Sequence, residues 1–83
     1  MALINLSKSE EAIEKCKKAI EFKPDYSVAW YNLACAYSSQ NKKVEVLENL
    51  KKAIELDLAC KDAAKIDEFF KNLWEDEDFK KLV

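Results

Sequence analysis

The chain has 83 residues, which is enough for one small domain. Its formal net charge of -2 argues against a nucleic-acid-binding protein, for which a basic face is expected. Three cysteines without a Cys-x-x-Cys pair, in a chain with no histidine, argue against a zinc site and against a disulfide framework. We therefore expect reduced thiols and a cytoplasmic location. No apolar run approaches the ~20 residues of a membrane helix, so no membrane partner is expected.

The first helical region ends before the proline. Residues 1–6 are apolar, and Ser7-Lys8-Ser9-Glu10 is typical of a capping box that begins a helix. Pro24 disfavours helical backbone at the residue before it, so the helix should end by Lys23. Apolar residues recur between these points at helical spacing: Ala12, Ile13, Cys16, Ala19 and Ile20. We predict a separate short helix over 1–6 and a helix over 10–23.

Residues 25–58 predict two helices joined by a turn. Asp25 is a suitable N-cap for the first of them. That helix is apolar over most of its circumference, so it should be buried on two or more sides. Asn41 can take the left-handed conformation that ends a helix. The second helix has one apolar stripe: Val46, Leu47, Leu50, Ala53 and Ile54.

The pentapeptide Lys-Lys-Ala-Ile-Glu occurs twice, at 17–21 and at 51–55, with an offset of 34 residues. In a chain with no glycine and one proline, this offset is typical of stacked helical repeats.

The last part of the chain does not continue the repeat. Residues 61–74 predict a fourth helix, with Asp67, Glu68 and Lys71 on its solvated side. The acidic run 75–78 predicts the start of a short last helix, where carboxylates complement the helix dipole.

Residues 7–60 resemble the tetratricopeptide repeat. The positions that carry the resemblance are Trp30, Leu33, Ala34, Tyr37, Val46, Leu50 and Ala53, preceded by Ala12, Cys16, Ala19 and Pro24. Leu58 stands where the family usually has proline. The resemblance implies an all-α fold of antiparallel helix-turn-helix repeats, a fragment of a right-handed superhelix. It makes 1–6 the remnant of a first helix A, 10–23 the helix B of a partial repeat, and 25–58 a full repeat. The segment 61–83 is similar to the capping helix, followed by a short terminal helix, of bacterial repeat proteins.

The resemblance also implies a peptide-binding groove on the concave side of the A helices. Its candidate residues are Val28, Tyr31, Asn32, Cys35 and Ser39, with Lys65, Ile66 and Phe69 from the cap. In the alternative interpretation, Tyr31 and Phe69 only pack helix on helix and Asn32 is merely solvated. Binding of chaperone tails is not expected, because Asp62 and Ile66 stand where cations must hold the carboxylate.

These observations predict a non-enzymatic module, without cofactor or metal, that binds a protein or peptide partner. One alternative is a purely structural C-terminal cap of a longer array. Another is a homo-oligomer formed through an uncapped N-terminal helix, with Ile13, Cys16 and Ile20 as the contact residues. A catalytic cysteine would need an adjacent base or an electropositive setting, and Cys60 is expected only to be an exposed thiol.

Overall fold

The computed structural model describes the backbone of residues 2–83 and the side chains of residues 8–83. Over this range the chain is all-α, in a helix-turn-helix arrangement. Its elements are α1 (Ala2–Phe22), α2 (Ser27–Ser39), α3 (Lys43–Leu56), α4 (Ala59–Ile66), a 3-10 helix (Glu68–Leu73) and α5 (Glu77–Leu82). The most extensive packing joins α1 to α2 and α2 to α3. Helices that follow one another in the chain are therefore neighbours in space.

Helix α1 is continuous, which differs from the prediction of two helices separated at Ser7. Its backbone is helical from Ala2 to Phe22. No glycine or proline interrupts this stretch, and a serine inside a helix costs little compared with either of them. Met1 lies outside the described residues. The helix ends where Pro24 predicts, with the amide of Lys23 donating to the carbonyl of Ala19 at 2.9 Å.

The turns on either side of α2 are stabilised by different interactions. Asn41 has a φ of 59°, so the predicted left-handed residue between α2 and α3 is confirmed. The predicted N-cap Asp25 is wrong, because Tyr26 occupies that position and makes no side-chain cap. The indole Nε1 of Trp30 instead donates to the carbonyl of Pro24 at 2.8 Å, which ties the α1–α2 turn to the first turn of α2.

The apolar residues form two clusters. The main one joins α2, α3, α4, the 3-10 helix and α5 through fully buried side chains: Ala34, Val46, Leu50, Ala64, Phe70 and Phe79. The rings of Phe70 and Phe79 lie 5.7 Å apart. The smaller cluster joins α1 to α2 through Ile13, Leu33 and Ala36. Since a buried aromatic side chain contributes about 1.5–3 kcal/mol, the segment after α3 supplies much of the stability of the main cluster.

The predicted continuous helix over 61–74 is wrong, because the chain leaves helical backbone at Asp67, with φ -78° and ψ 121°. The carboxylate of Asp67 caps the 3-10 helix by accepting from the amide of Phe69 at 3.0 Å. The predicted short last helix is present as α5. Asp76 caps it by accepting from the amides of Asp78 and Phe79. Lys43, at the start of α3, lies 2.8 Å from Asp76 and so holds the pKa of that carboxyl below its ordinary value.

Candidate functional site

A cavity of about 710 Å³ lies between α1, α2 and the 3-10 segment. We call it the groove. Lys8, Ser9 and Ala12 form its α1 wall, and Asp67 and Phe69 form the opposite wall. The floor comes from α2: Tyr31, Asn32, Cys35, Ala36 and Ser39. These floor positions share one face, since residues three and four apart lie above one another on a helix.

The structure brings together five of the eight candidate binding residues: Tyr31, Asn32, Cys35, Ser39 and Phe69 all line the groove. Val28 instead lines a smaller cavity of about 180 Å³ between α2 and α4, which shares Tyr31 with the groove. Lys65 and Ile66 lie on α4, before the turn at Asp67, and do not line the groove. Lys65 lies 4.0 Å from Asp62, and Ile66 is 79% exposed. Use of these residues in binding stays a prediction.

Asp67 lines the groove although the sequence predicted it on a solvated helix face. The other lining residues that the sequence did not predict are Lys8, Ser9, Ala12 and Ala36. Its Oδ2 accepts a hydrogen bond from the Tyr31 hydroxyl at 2.7 Å, and its Oδ1 accepts from the Phe69 amide. An aspartate that accepts from the amide two residues later is a common turn device. This turn tendency of Asp67, shortly before Phe69 and Phe70 in the sequence, was the signal that could have indicated the end of the helix.

Phe69 is held by its backbone while its ring stays accessible. The Ser38 hydroxyl donates to the Phe69 carbonyl, and the Phe69 amide donates to Asp67. The residue as a whole is 58% exposed. A large apolar side chain fixed at the edge of a cavity is suited to packing against a ligand.

Burial and nearby negative charge favour the protonated forms of the Tyr31 hydroxyl and of the cysteine thiols. Burial, followed by the hydrogen bond to Asp67 and its negative charge, raises the pKa of Tyr31 well above its ordinary value. Burial and then the charge of Asp67 raise the pKa of Cys35 to about 12. Burial also raises the pKa of Cys16 and of Cys60. The prediction of an exposed Cys60 is wrong, since only 9% of this residue is accessible.

The candidate self-association residues lie on the stripe of α1 that faces α2. Ile13 belongs to the small cluster with Leu33 and Ala36, and the partly buried Cys16 and Ile20 pack against that cluster. The exposed residues of α1 from Lys8 onward are all charged except Phe22. Intrachain packing thus takes up most of the apolar stripe, and self-association stays a prediction.

The described part of the chain contains neither a metal-binding group of side chains nor a membrane-spanning helix. Among its residues, no group of three or more histidine, cysteine, aspartate or glutamate side chains is placed to hold a metal ion. None of its helices has the length and apolar character that crossing a membrane requires.

Comparison with known proteins identifies the repeat. Residues 27–57 match a family model described as tetratricopeptide repeat, and residues 1–26 match a second model with the same description. The chain belongs to the tetratricopeptide repeat family. The match over residues 27–57 spans α2 and α3, which confirms the all-α helix-turn-helix fold. Because these repeats mediate contacts between proteins, the chain is a protein–protein interaction module.

Two relatives are similar over most of the chain. Sperm-associated antigen 1 of Rattus norvegicus is 33% identical over 75 residues, which cover 86% of this chain and 8% of that protein. Sperm-associated antigen 1 of Mus musculus has the same identity and coverage. The chain therefore spans a small fraction of the length of these two relatives. No solved structure matches the chain at a significant level.

Proposed function

We propose that the groove binds an extended peptide or a partner helix from another protein. The observation that supports this most directly is that five candidate residues, chosen from sequence, line one cavity. Its volume of about 710 Å³ lies within the roughly 300–1,000 Å³ of ordinary ligand sites. Phe69 supplies the accessible apolar surface, and Asn32 and Ser39 supply exposed polar groups.

Binding would combine apolar burial with hydrogen bonding to the peptide backbone. The Phe69 ring, together with Ala12 and Ala36, would cover apolar side chains of the ligand, at about 25 cal/mol per Å² of apolar surface buried. Asn32 would hydrogen-bond the ligand backbone and fix its register. Because Asp67 already holds the groove wall, little ordering is needed on binding, which favours affinity.

The module would act by binding and not by catalysis. Near neutral pH the raised pKa of Cys35 keeps its thiol protonated, and a protonated thiol is a poor nucleophile. Cys16, Cys35 and Cys60 are all free. We therefore place the chain in the cytoplasm, where thiols stay reduced.

A peptide library displayed on phage, selected against the folded chain, tests the proposal. Selected peptides would be synthesised and titrated against variants by fluorescence anisotropy. Phe69→Ala should weaken binding about tenfold or more, as expected for an aromatic side chain that anchors a ligand. The matched control is Phe22→Ala, since Phe22 is 90% exposed and lies outside the groove. Equal effects of the two variants would contradict the proposal.

A structural role as the cap of a longer array is the second candidate. The observation in its favour is the complete burial of Phe70 and Phe79, which close the end of the main cluster. In this case Phe79→Ala would destabilise the chain, whereas Phe69→Ala would leave its binding to other proteins unchanged. Self-association through α1 is less favoured, because Ile13 already packs on α2.

A further inference from the structure

The groove contains one half-buried negative charge that no described cation neutralises. Asp67 is partly buried and lines the cavity. Ion pairs among residues 8–83 involve other carboxylates: Asp62, Glu75, Asp76 and Asp78. A partly buried charge is less screened than one in open solvent, so a ligand cation beside it would be attracted strongly.

The carboxylate is positioned and still has acceptor capacity. It accepts one hydrogen bond from Tyr31 and one from the amide of Phe69. An ionised carboxylate offers about four acceptor sites, so roughly two remain. Because α2 and the 3-10 helix fix its orientation, a ligand donor would meet an acceptor that is already in place.

The surroundings of Asp67 favour a guanidinium over an ammonium. Tyr31 donates to Asp67 directly, and Phe69 follows it by two residues and also lines the groove. A guanidinium is planar, pairs with carboxylates through a fork of donors, and stacks on aromatic rings. An ammonium acts as a point charge and gains less from the rings.

Lys8, the cation on the opposite wall, does not cancel this preference. Its side chain is exposed, so its field is screened by solvent. The charge of Asp67, in contrast, acts on buried groups of the groove floor, because it contributes to the raised pKa of Cys35.

We propose that the groove takes a peptide segment in which an arginine lies next to a large apolar side chain, with Asp67 as the counter-charge of the arginine. The apolar neighbour packs on Phe69. Tyr31 acts as a positioning residue that holds the carboxylate. This proposal rests on the proposed function and specifies the chemistry of its partner.

The test uses four labelled peptides that differ at one position. Each is capped at both ends and has the sequence Ser-Gly-Ser-Leu-X-Leu-Ser-Gly-Ser, where X is arginine, citrulline, lysine or glutamate. Citrulline has nearly the shape of arginine without its charge. Fluorescence anisotropy with the whole chain should show arginine bound about tenfold tighter than citrulline, as expected for a charge-assisted hydrogen bond. Lysine should be intermediate and glutamate weakest.

Variants locate the effect on the protein. Asp67→Asn should bring the arginine-to-citrulline ratio close to one, whereas Glu68→Gln should leave it unchanged, because the neighbouring Glu68 is exposed and outside the groove. Tyr31→Phe should lower the arginine-to-citrulline ratio by less than Asp67→Asn does. The Asp67 charge remains in this variant, but it loses the hydrogen bond that Tyr31 donates. Since the peptide comparison uses the unmodified chain, it gives an answer even if Asp67→Asn folds poorly.

The outcomes separate this inference from the proposed function. Equal binding of the arginine and citrulline peptides, with Phe69→Ala still weakening both, would overturn the arginine preference and leave the groove in use. Failure of these peptides and of the phage library to bind would overturn both proposals. Concentration-dependent dimers in sedimentation that Phe69→Ala dissociates would identify a second copy as the occupant and also overturn the arginine proposal.

Discussion

Replacing Tyr31 by phenylalanine should destabilise the chain measurably, although it removes a single oxygen atom. The Tyr31 hydroxyl donates to Asp67 at 2.7 Å and so joins α2 to the turn between α4 and the 3-10 helix. The ring should stay in place, because it packs nearly perpendicular to the ring of Phe70, with the centroids 5.6 Å apart. The substitution therefore removes the hydrogen bond and little else.

The expected cost follows from the type of bond and its burial. A hydrogen bond to a charged group contributes about 1.5–3 kcal/mol. Both partners here are partly exposed, so we take the lower end, about 1.5 kcal/mol. A chain of this length is stable by about 4–12 kcal/mol. With a urea dependence of about 1 kcal/mol per molar, the unfolding midpoint should fall by roughly 1.5 M.

The pH dependence of the stability provides a second test of the environment of the Tyr31 hydroxyl. The folded state raises the pKa of Tyr31 above its ordinary value of 10.0, chiefly by burial and then by the bond to Asp67. This contribution to stability is fully present below pH 10 and is lost as the pH rises above it. Unmodified protein should therefore lose stability faster above pH 10 than Tyr31→Phe.

Urea denaturation followed by circular dichroism measures both effects. The control is Tyr26→Phe. Tyr26 is exposed, and its hydroxyl makes no hydrogen bond among the described residues. A double-mutant cycle with Asp67→Ala should give a coupling of at least about 0.5 kcal/mol. Equal midpoints for Tyr31→Phe and Tyr26→Phe, or no coupling, would refute this reasoning.

Three further predictions concern the core, a turn and a thiol. Phe79→Ala should cost about 3–5 kcal/mol and so lower the urea midpoint, measured by circular dichroism, about two to three times as far as Tyr31→Phe does, whereas an unchanged midpoint would show that the last helix is dispensable. Asn41→Ala should cost about 1 kcal/mol because of its positive φ; Asn41→Gly should not, and equal thermal midpoints would contradict this. At pH 8, Cys35 should be alkylated far more slowly in native protein than in urea, as followed by mass spectrometry, and equal rates would count against its burial. The protonated Cys35 thiol also contributes to stability, and this contribution should be lost as the pH rises from 9.0 toward about 12.

The central repeat was predictable from sequence because its determinants are local and occur twice. The 34-residue echo and the apolar spacing predicted α2 and α3, and the left-handed tendency of asparagine predicted the turn at Asn41. The same local logic failed at Ser7. A capping pattern only permits a helix to begin, and nothing in the neighbouring residues stops the preceding turn from continuing.

The end of α4 was only weakly predictable, because the local turn tendency of Asp67 is reinforced by a partner that lies far away in sequence. Asp67 leaves helical backbone where its carboxylate meets the hydroxyl of Tyr31, 36 residues earlier. Helical periodicity contains no information about such a partner. The predicted site residues divide at the same point in the chain. Phe69 follows the turn at Asp67 and lines the groove, whereas Lys65 and Ile66 lie on α4, which ends before the groove.

The division of the apolar residues into two clusters has a consequence for how the chain opens. Helix α1 packs mainly on α2, through the small cluster, whereas the main cluster needs no side chain from α1. Helix α1 can therefore detach in a local fluctuation while the other helices stay folded. One wall of the groove would leave with it. A ligand seated in the groove would bridge the two cooperative units, so hydrogen exchange in α1 should slow on binding far more than exchange in α3.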